Sequence, residues 1–275
     1  MAIFAAPFAL QRKCYACLHS NAIVNQGGLM LPIWARGLAG QTALVTGTSR
    51  GLGEAIALAL ADAGAQVLAV ARDPQGLAAL AARHPAITPM AGDVTDDAFV
   101  DGLAALDIDV LVNNAGTNKP QPMAEVAVTT LDLMLNLNVR AAYLVAQAAA
   151  RSMLRRGTRG AIINITSQMG HVGSPGRTVY CMTKHALEGL TKAMAVELAP
   201  AGIRVNSVAP TFIETPMTAP MLADPAFAKF VQEMIPLGRT GTPDDVAAAV
   251  VYLASPAAAM VTGTSLLVDG GWTAR

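Results

Sequence analysis

Short apolar runs alternate with longer segments of helical periodicity from about residue 40 to the end of the chain. The apolar runs predict strands at 42–47, 66–71, 109–114, 161–166, 203–209 and 264–269. These runs lack polar alternation, so both faces of each strand should be buried, as in a parallel sheet covered by helices. The longer segments predict helices at 53–64, 131–154, 178–199 and 243–255.

Repeated strand–helix units predict an α/β fold, in which a doubly wound, Rossmann-like domain has a central parallel sheet of about seven strands with helices on both faces. No segment within 37–275 has the composition of a linker, so we expect one domain there. The Gly/Pro-rich region around 210–243 is the least regular part and is a candidate for covering a substrate.

A glycine-rich turn, "TGTSRGLG" (46–53), lies where the first predicted strand meets the first helix. Its glycines are Gly47, Gly51 and Gly53, spaced G-x-x-x-G-x-G. Glycine permits unusual backbone angles and lets a pyrophosphate approach the amides of a helix N-terminus. The position directly after a buried strand therefore indicates a dinucleotide site. No Lys-Ser/Thr follows the last glycine, so the turn is not a P-loop.

Several further segments occur in the order typical of one family. They are "GDV" (92–94), "NNAG" (113–116), Asn138 in "NLNVRAAY", "INITS" (163–167), "YCMTK" (180–184), "NSVAPTFIET" (206–215) and "VDGG" (268–271). Together with the glycine turn, they make residues 40–273 resemble the short-chain dehydrogenases/reductases. The resemblance implies a nicotinamide cofactor and a Ser–Tyr–Lys site. One departure is Thr211, where the family usually has glycine, at the loop expected beside the nicotinamide.

Tyr180 and Lys184 are four residues apart on a predicted helix and should share one face. A tyrosine is almost fully neutral at pH 7, and a nearby ammonium favours the phenolate, so we expect Lys184 to lower the pKa of Tyr180. Ser167 ends the strand of "AIINITS", and ligands in open α/β sheets bind beyond such strand ends. Its hydroxyl could donate to a substrate oxygen as charge develops there.

The family resemblance implies a role for each catalytic residue. Ser167 would orient the substrate, Tyr180 would act as the general acid/base, and Lys184 would tune Tyr180 and hold the nicotinamide ribose. Asn138 would support a water chain that relays protons to Lys184. The implied reaction is hydride transfer between nicotinamide and a carbonyl or secondary alcohol.

The cofactor contacts implied by the resemblance and the glycine turn form a larger set. They are Gly47, Ser49, Arg50, Gly51, Leu52, Gly53, Arg72, Asp93, Val94, Asn114, Ala115, Gly116, Tyr180, Lys184, Pro210, Ile213 and Thr215. NAD-binding domains commonly end the second strand with an acid, a place taken here by Ala71. Arg50 and Arg72 could bracket a 2′-phosphate, which favours NADP. NAD remains an alternative, because Asp73 could bind the ribose hydroxyls if the strand runs two residues further.

The substrate is expected to face Ser167, Gln168, His171, Arg177, Tyr180 and Phe212. A small polar ketone, a keto acid or a sugar derivative fits this set, because Arg177 or His171 could meet a carboxylate or a hydroxyl. A 3-oxoacyl thioester or a steroid remains open. An alternative function of another class is a non-catalytic dinucleotide sensor with the same fold. Such a protein should lack at least one of Ser167, Tyr180 and Lys184, whereas all three are present here.

The composition of the chain argues against several classes of binding partner. The 275 residues include 19 basic and 19 acidic side chains, so no overall positive charge favours nucleic acid or an anionic membrane. The most apolar segment, 246–261, is short and contains Pro256, which argues against a membrane span. Three cysteines and four scattered histidines indicate neither a disulfide framework nor a metal site, and we expect a cytoplasmic protein.

Two further expectations concern residues 1–36 and the oligomeric state. Residues 1–36 contain no acidic side chain, and they form either an organelle-targeting peptide or an extension before a start at Met30. We exclude them from the fold. The family resemblance also implies a homodimer or homotetramer that associates through helices 131–154 and 178–199.

Overall fold

A seven-stranded parallel sheet forms the centre of the fold. The computed structural model describes residues 37–274, and the expectations for residues 1–36 lie outside the described residues. The strand order is β3-β2-β1-β4-β5-β6-β7. The strands are β1 (Thr42–Thr46), β2 (Gln66–Ala71), β3 (Ile87–Ala91), β4 (Val110–Asn113), β5 (Ala161–Ile165), β6 (Arg204–Pro210) and β7 (Ser265–Val268).

Helices connect successive strands. They are α1 (Gly51–Asp62), α2 (Pro74–Ala81), α3 (Asp97–Leu103), α4 (Val128–Leu135), α5 (Ala142–Arg156), α6 (Thr178–Leu198), α7 (Ala219–Leu222), α8 (Pro225–Met234) and α9 (Pro243–Ala254). Because the order reverses between β1 and β4, the carboxyl ends of these two strands border a crevice where ligands bind in such sheets.

Two apolar layers cover the sheet, as the unbroken apolar strands predict. Val45 on β1 faces one layer, where α1 and α9 contribute Ile56 and Val250. Leu44, the preceding residue, faces the opposite layer, where α5 contributes Val145. Successive side chains of a strand point to opposite faces, so the consecutive apolar residues Leu44 and Val45 fill one layer each. The doubly wound architecture is therefore confirmed.

Some elements differ from the prediction. The single long helix expected at 131–154 is divided into α4 and α5 by a π-helical turn, Asn136–Ala141. The irregular region 210–243 contains the two short helices α7 and α8. Among the described residues, no helix has both the length and the apolar character needed to cross a membrane.

Candidate active site

A cavity of about 600 Å³ opens at the carboxyl edge of the sheet. Its wall contains every residue predicted to contact the cofactor, and it also contains Ser167. Further lining residues are Val70, Ala71, Asp73, Gly92, Thr117, Leu137, Ile165, Thr166, Thr211, Pro216, Met217 and Thr218. The strand ends, the glycine turn and the segment after β6 therefore meet at one place.

The glycine turn is packed too tightly for other residues. A Cβ at Gly53 would lie 2.2 Å from the carbonyl oxygen of Gly47, which real Cβ atoms do not tolerate. Gly47 itself has φ +73°, in the left-handed region that favours glycine. The side-chain amide of Asn114 stabilises the turn, since its Nδ2 donates to the carbonyl oxygens of Thr46 and Gly47 at 2.9 and 3.2 Å. These constraints fix the shape of the turn, whose three glycines line the cavity.

The serine, tyrosine and lysine predicted to be catalytic converge on this cavity. Ser167 lies two residues beyond the end of β5, and its Oγ is 2.7 Å from Gln168 Oε1. Tyr180 and Lys184 occupy the first two turns of α6. Lys184 Nζ lies 5.5 Å from the centroid of the Tyr180 ring and donates to the Ile165 carbonyl oxygen at 2.8 Å.

The pKa of Tyr180 shifts in the direction opposite to the prediction. Burial raises it to about 12, although the hydrogen bond with the Ser167 hydroxyl and the positive charge of Arg177 both act to lower it. Burial also lowers the pKa of Lys184 to about 8, against the opposing charge of Glu188. The expectation that Lys184 lowers the Tyr180 pKa is thus corrected, because desolvation outweighs the nearby charges.

Asn138 lies at the π-helical turn and is almost completely buried. Its amide joins two elements, since Nδ2 donates to the Thr117 carbonyl oxygen at 2.8 Å and to Thr183 Oγ1 at 3.2 Å. The Thr117 amide donates back to Oδ1 at 2.9 Å. The π turn therefore places Asn138 between the loop after β4 and the residue preceding Lys184.

Both arginines expected at the cofactor phosphate line the cavity and are exposed. Arg72 Nη1 lies 3.6 Å from Asp93 Oδ2, a loose pair in which the arginine side chain is 76% exposed. Asp73, the residue that kept NAD open, caps α2 by accepting from the Gln75 amide at 3.0 Å. One Asp73 oxygen is therefore already used within the protein.

The predicted substrate residues outside the catalytic set do not line this cavity directly. None of Gln168, His171, Arg177 and Phe212 belongs to the cavity wall in the part of the chain that the structure describes. The His171 side chain contacts β7 instead, since its Nε2 lies 2.9 Å from Ser265 Oγ. Phe212 is buried against Phe227 and Trp272, with ring centroids 5.5 and 5.7 Å away.

The two remaining residues of that set are buried near the catalytic groups. Gln168 is 2% exposed and accepts from Ser167, so it supports that side chain. Arg177 is 8% exposed and lies one turn before Tyr180 at the start of α6. Its Nη2 lies 3.0 Å from Met221 Sδ on α7.

A buried carboxylate behind Lys184 escaped the sequence analysis. Glu188, one turn further along α6, accepts hydrogen bonds from Thr166 at 2.5 Å, Ser207 at 2.8 Å and Ser265 at 3.0 Å. His171 Nε2 lies 3.3 Å from the same carboxylate. Its i+4 spacing from Lys184 was the available signal, but the hydroxyl partners come from three separate places along the chain: Thr166 follows β5, Ser207 lies within β6 and Ser265 begins β7.

The cavity fits a dinucleotide by its own geometry. The glycine turn forms a cradle that a Cβ at Gly53 would fill, and α1 begins directly within it. Backbone amides at a helix N-terminus bind phosphate. Thr211 lines the cavity, and its buried Oγ1 has no hydrogen-bond partner in the described structure, so it offers a polar atom for a ligand to satisfy.

Comparisons with known proteins agree with this geometry. The model of a family described as "Enoyl-(Acyl carrier protein) reductase" matches residues 47–273. L-xylulose reductase of Mus musculus is 43% identical over 240 residues, covering 86% of this chain and 98% of the relative. Gluconate 5-dehydrogenase of Gluconobacter oxydans (strain 621H) is 39% identical over 246 residues, covering 86% and 96%.

A solved structure shows the same fold. Gluconate 5-dehydrogenase from Burkholderia cenocepacia J2315, in complex with NADP and tartrate, superposes with a TM-score of 0.84 at 35% identity. The match covers 88% of this chain and 99% of that one.

The doubly wound sheet and the cavity at its carboxyl edge define a dinucleotide-dependent oxidoreductase. More specifically, the chain belongs to the short-chain dehydrogenase/reductase family. It is an NAD(P)-dependent enzyme that transfers a hydride between nicotinamide and a carbonyl or secondary alcohol, and the nicotinamide prediction is confirmed.

Proposed function

We propose that this protein reduces the ketone of a polyhydroxylated, sugar-derived substrate with NADPH. The observation that carries the proposal is the convergence of Ser167, Tyr180 and Lys184 on a cavity that also contains the glycine turn. The relatives named above support the substrate class, since one is a xylulose reductase and two are gluconate dehydrogenases. The reaction converts ketone, NADPH and a proton into secondary alcohol and NADP⁺.

In the proposed mechanism, the protein positions the carbonyl and supplies its proton. When bound, the nicotinamide provides the hydride. Tyr180 donates its phenolic proton to the carbonyl oxygen, and the raised pKa keeps that proton in place at pH 7. Ser167 donates a hydrogen bond to the same oxygen. Lys184 holds a positive charge beneath the Tyr180 ring, and Asn138 links the neighbouring Thr183 to the loop after β4.

A spectrophotometric screen tests this function. Ketoses, keto sugar acids, 3-oxoacyl thioesters and steroid ketones are each mixed with NADPH or NADH, and cofactor oxidation is followed at 340 nm. We expect turnover with members of the two sugar classes and NADPH. Turnover of the thioester alone would replace the sugar proposal with the 3-oxoacyl alternative, and no turnover of any carbonyl would contradict both.

We further propose NADP rather than NAD as the working cofactor, because two exposed arginines border the cavity and Asp73 caps α2. Replacing both Arg50 and Arg72 with alanine should raise the KM for NADPH roughly 30- to 1,000-fold, since each charge-assisted contact to a 2′-phosphate contributes about 1–2 kcal/mol. The KM for NADH should change less than about threefold. Steady-state kinetics with both cofactors measures this, and an equal loss for both would contradict it.

The proposed assembly is a homodimer or homotetramer formed through α4, α5 and α6. Apolar side chains on these helices support it, since Leu133, Tyr143 and Val196 are 42%, 49% and 80% exposed in the single chain. Sedimentation equilibrium of the purified protein tests it, and a monomer at micromolar concentration would contradict it. The cytoplasmic location stays a prediction that cell fractionation can test.

A further inference from the structure

Arg177 is a buried cation that lacks a carboxylate partner in the described part of the chain. Its side chain is 8% exposed, and the contact it makes is with the Met221 thioether, a weak acceptor. A guanidinium stays charged in proteins, and burying its charge without a counter-ion is costly. An anion that enters from outside the chain would supply the missing partner.

The location of Arg177 links it to the reacting groups. It lies three residues before Tyr180, and its charge acts on the Tyr180 phenol. Its contact, Met221, belongs to α7, which follows Thr218 of the cavity wall directly. Arg177 therefore lies one turn before the catalytic tyrosine and contacts the helix that directly follows the cavity wall.

Unpartnered acceptors lie on the neighbouring loop. Asn118 Oδ1 and Gln121 Oε1 are buried and have no hydrogen-bond partner in the described structure. The backbone N–H of Gln121 donates to the Gly176 carbonyl oxygen at 3.0 Å, which joins this loop to the residue preceding Arg177. Asn118 follows Thr117, a residue of the cavity wall. Buried acceptors of this kind require donors, and hydroxyl groups of a ligand would provide them.

We propose that Arg177 binds the carboxylate of the substrate, whose hydroxyl groups donate to Asn118 and Gln121. The preferred substrate is then a keto sugar acid rather than a neutral ketose. This inference rests on the proposed function and decides between the acidic and neutral members of its substrate class. A planar guanidinium suits this role, since it can bind a carboxylate with two parallel hydrogen bonds.

Kinetics with a charged and a neutral substrate test the proposal. The probes are 5-keto-D-gluconate and L-sorbose, two six-carbon ketones of the same configuration that differ at one end, where the first has a carboxylate and the second a hydroxymethyl group. Wild-type protein should reduce the keto acid with a kcat/KM at least tenfold higher. In Arg177→Gln, kcat/KM for the keto acid should fall roughly 30- to 100-fold, mainly through KM, while that for L-sorbose changes less than about threefold. Arg177→Lys should recover part of the loss.

A matched control removes a different charge from the same helix. Lys192 is exposed on α6, and Lys192→Gln should leave both kcat/KM values within about twofold. Equal activity of wild-type protein on the two probes, or an equal loss for both in Arg177→Gln, would overturn the proposal. Both assays run in the reduction direction, where Tyr180 acts as an acid.

A separate binding measurement tests the carboxylate site even if the proposed ketone reduction is wrong. If neither probe is reduced, calorimetry of the NADP⁺ complex with D-gluconate and D-glucitol tests the carboxylate site alone. Binding of gluconate that is lost in Arg177→Gln, without binding of glucitol, would support the assignment. Equal binding of the two polyols, no binding of gluconate, or gluconate binding unaffected by Arg177→Gln would overturn it.

Discussion

Tyr180→Phe should lower the kcat for ketone reduction by roughly 10³-fold, because general acid catalysis contributes about 10²- to 10⁴-fold and phenylalanine has no proton to donate. NADPH binding should remain within about twofold, since the glycine turn and α1 are untouched. The aromatic ring keeps its packing against the apolar cluster of Met169, Phe212, Val231 and Ile235, so the fold should be preserved. Steady-state kinetics measures the first quantity, and fluorescence titration of NADPH measures the second.

Tyr252→Phe is the matched control, since Tyr252 is 42% exposed on α9 and lies outside the cavity wall. Its kcat should stay within about twofold of wild type. A wild-type rate in Tyr180→Phe would remove Tyr180 from the mechanism. The Tyr180 pKa of about 12 also predicts how the rate depends on pH. Alcohol oxidation requires the phenolate, so its rate should rise with pH. Ketone reduction requires the phenol, which already predominates at pH 7.

The parallel sheet could be predicted from the sequence because its strands are apolar on both faces. β1, β4 and β5 are buried almost throughout, and each coincides with a predicted apolar run. β3 (Ile87–Ala91) was missed, because this edge strand contains Thr88 and Pro89 and exposes most of its residues. The short helices α2 and α3, which flank it, offer too few turns for a clear period.

The catalytic positions could be placed from spacing and strand ends, but their surroundings could not. The i,i+4 rule brings Tyr180 and Lys184 together, whereas their pKa directions depend on burial that many distant residues create. The same limit applies to His171, whose partner Ser265 lies 94 residues away along the chain. No local pattern indicates such a contact, so its side chain was expected at the substrate.

The second large effect concerns Lys184→Met, which should lower kcat/KM for ketone reduction by at least about 10²-fold, within the range for loss of a charged group in a catalytic site. Methionine fills a similar volume but removes the ammonium that lies 5.5 Å from the Tyr180 ring and is 5% exposed. By the family resemblance, the loss should be divided between kcat and the KM for NADPH. Lys192→Met, an exposed change on the same helix, should stay within about twofold.

Stability separates a catalytic from a structural role for Lys184. At pH 7 the variant should differ from wild type by less than about 2 kcal/mol, because relief of a buried charge opposes loss of the hydrogen bond to the Ile165 carbonyl oxygen. The pKa of Lys184 is lowered from 10.5 to about 8, so between these values the unfolded state binds more protons than the native state. Wild-type stability should therefore rise relative to the variant by up to about 3 kcal/mol from pH 8 to pH 10.5, as denaturant titrations would measure. A variant that unfolds at pH 7 would assign Lys184 to the fold, whereas a folded variant with wild-type kcat/KM would remove it from catalysis.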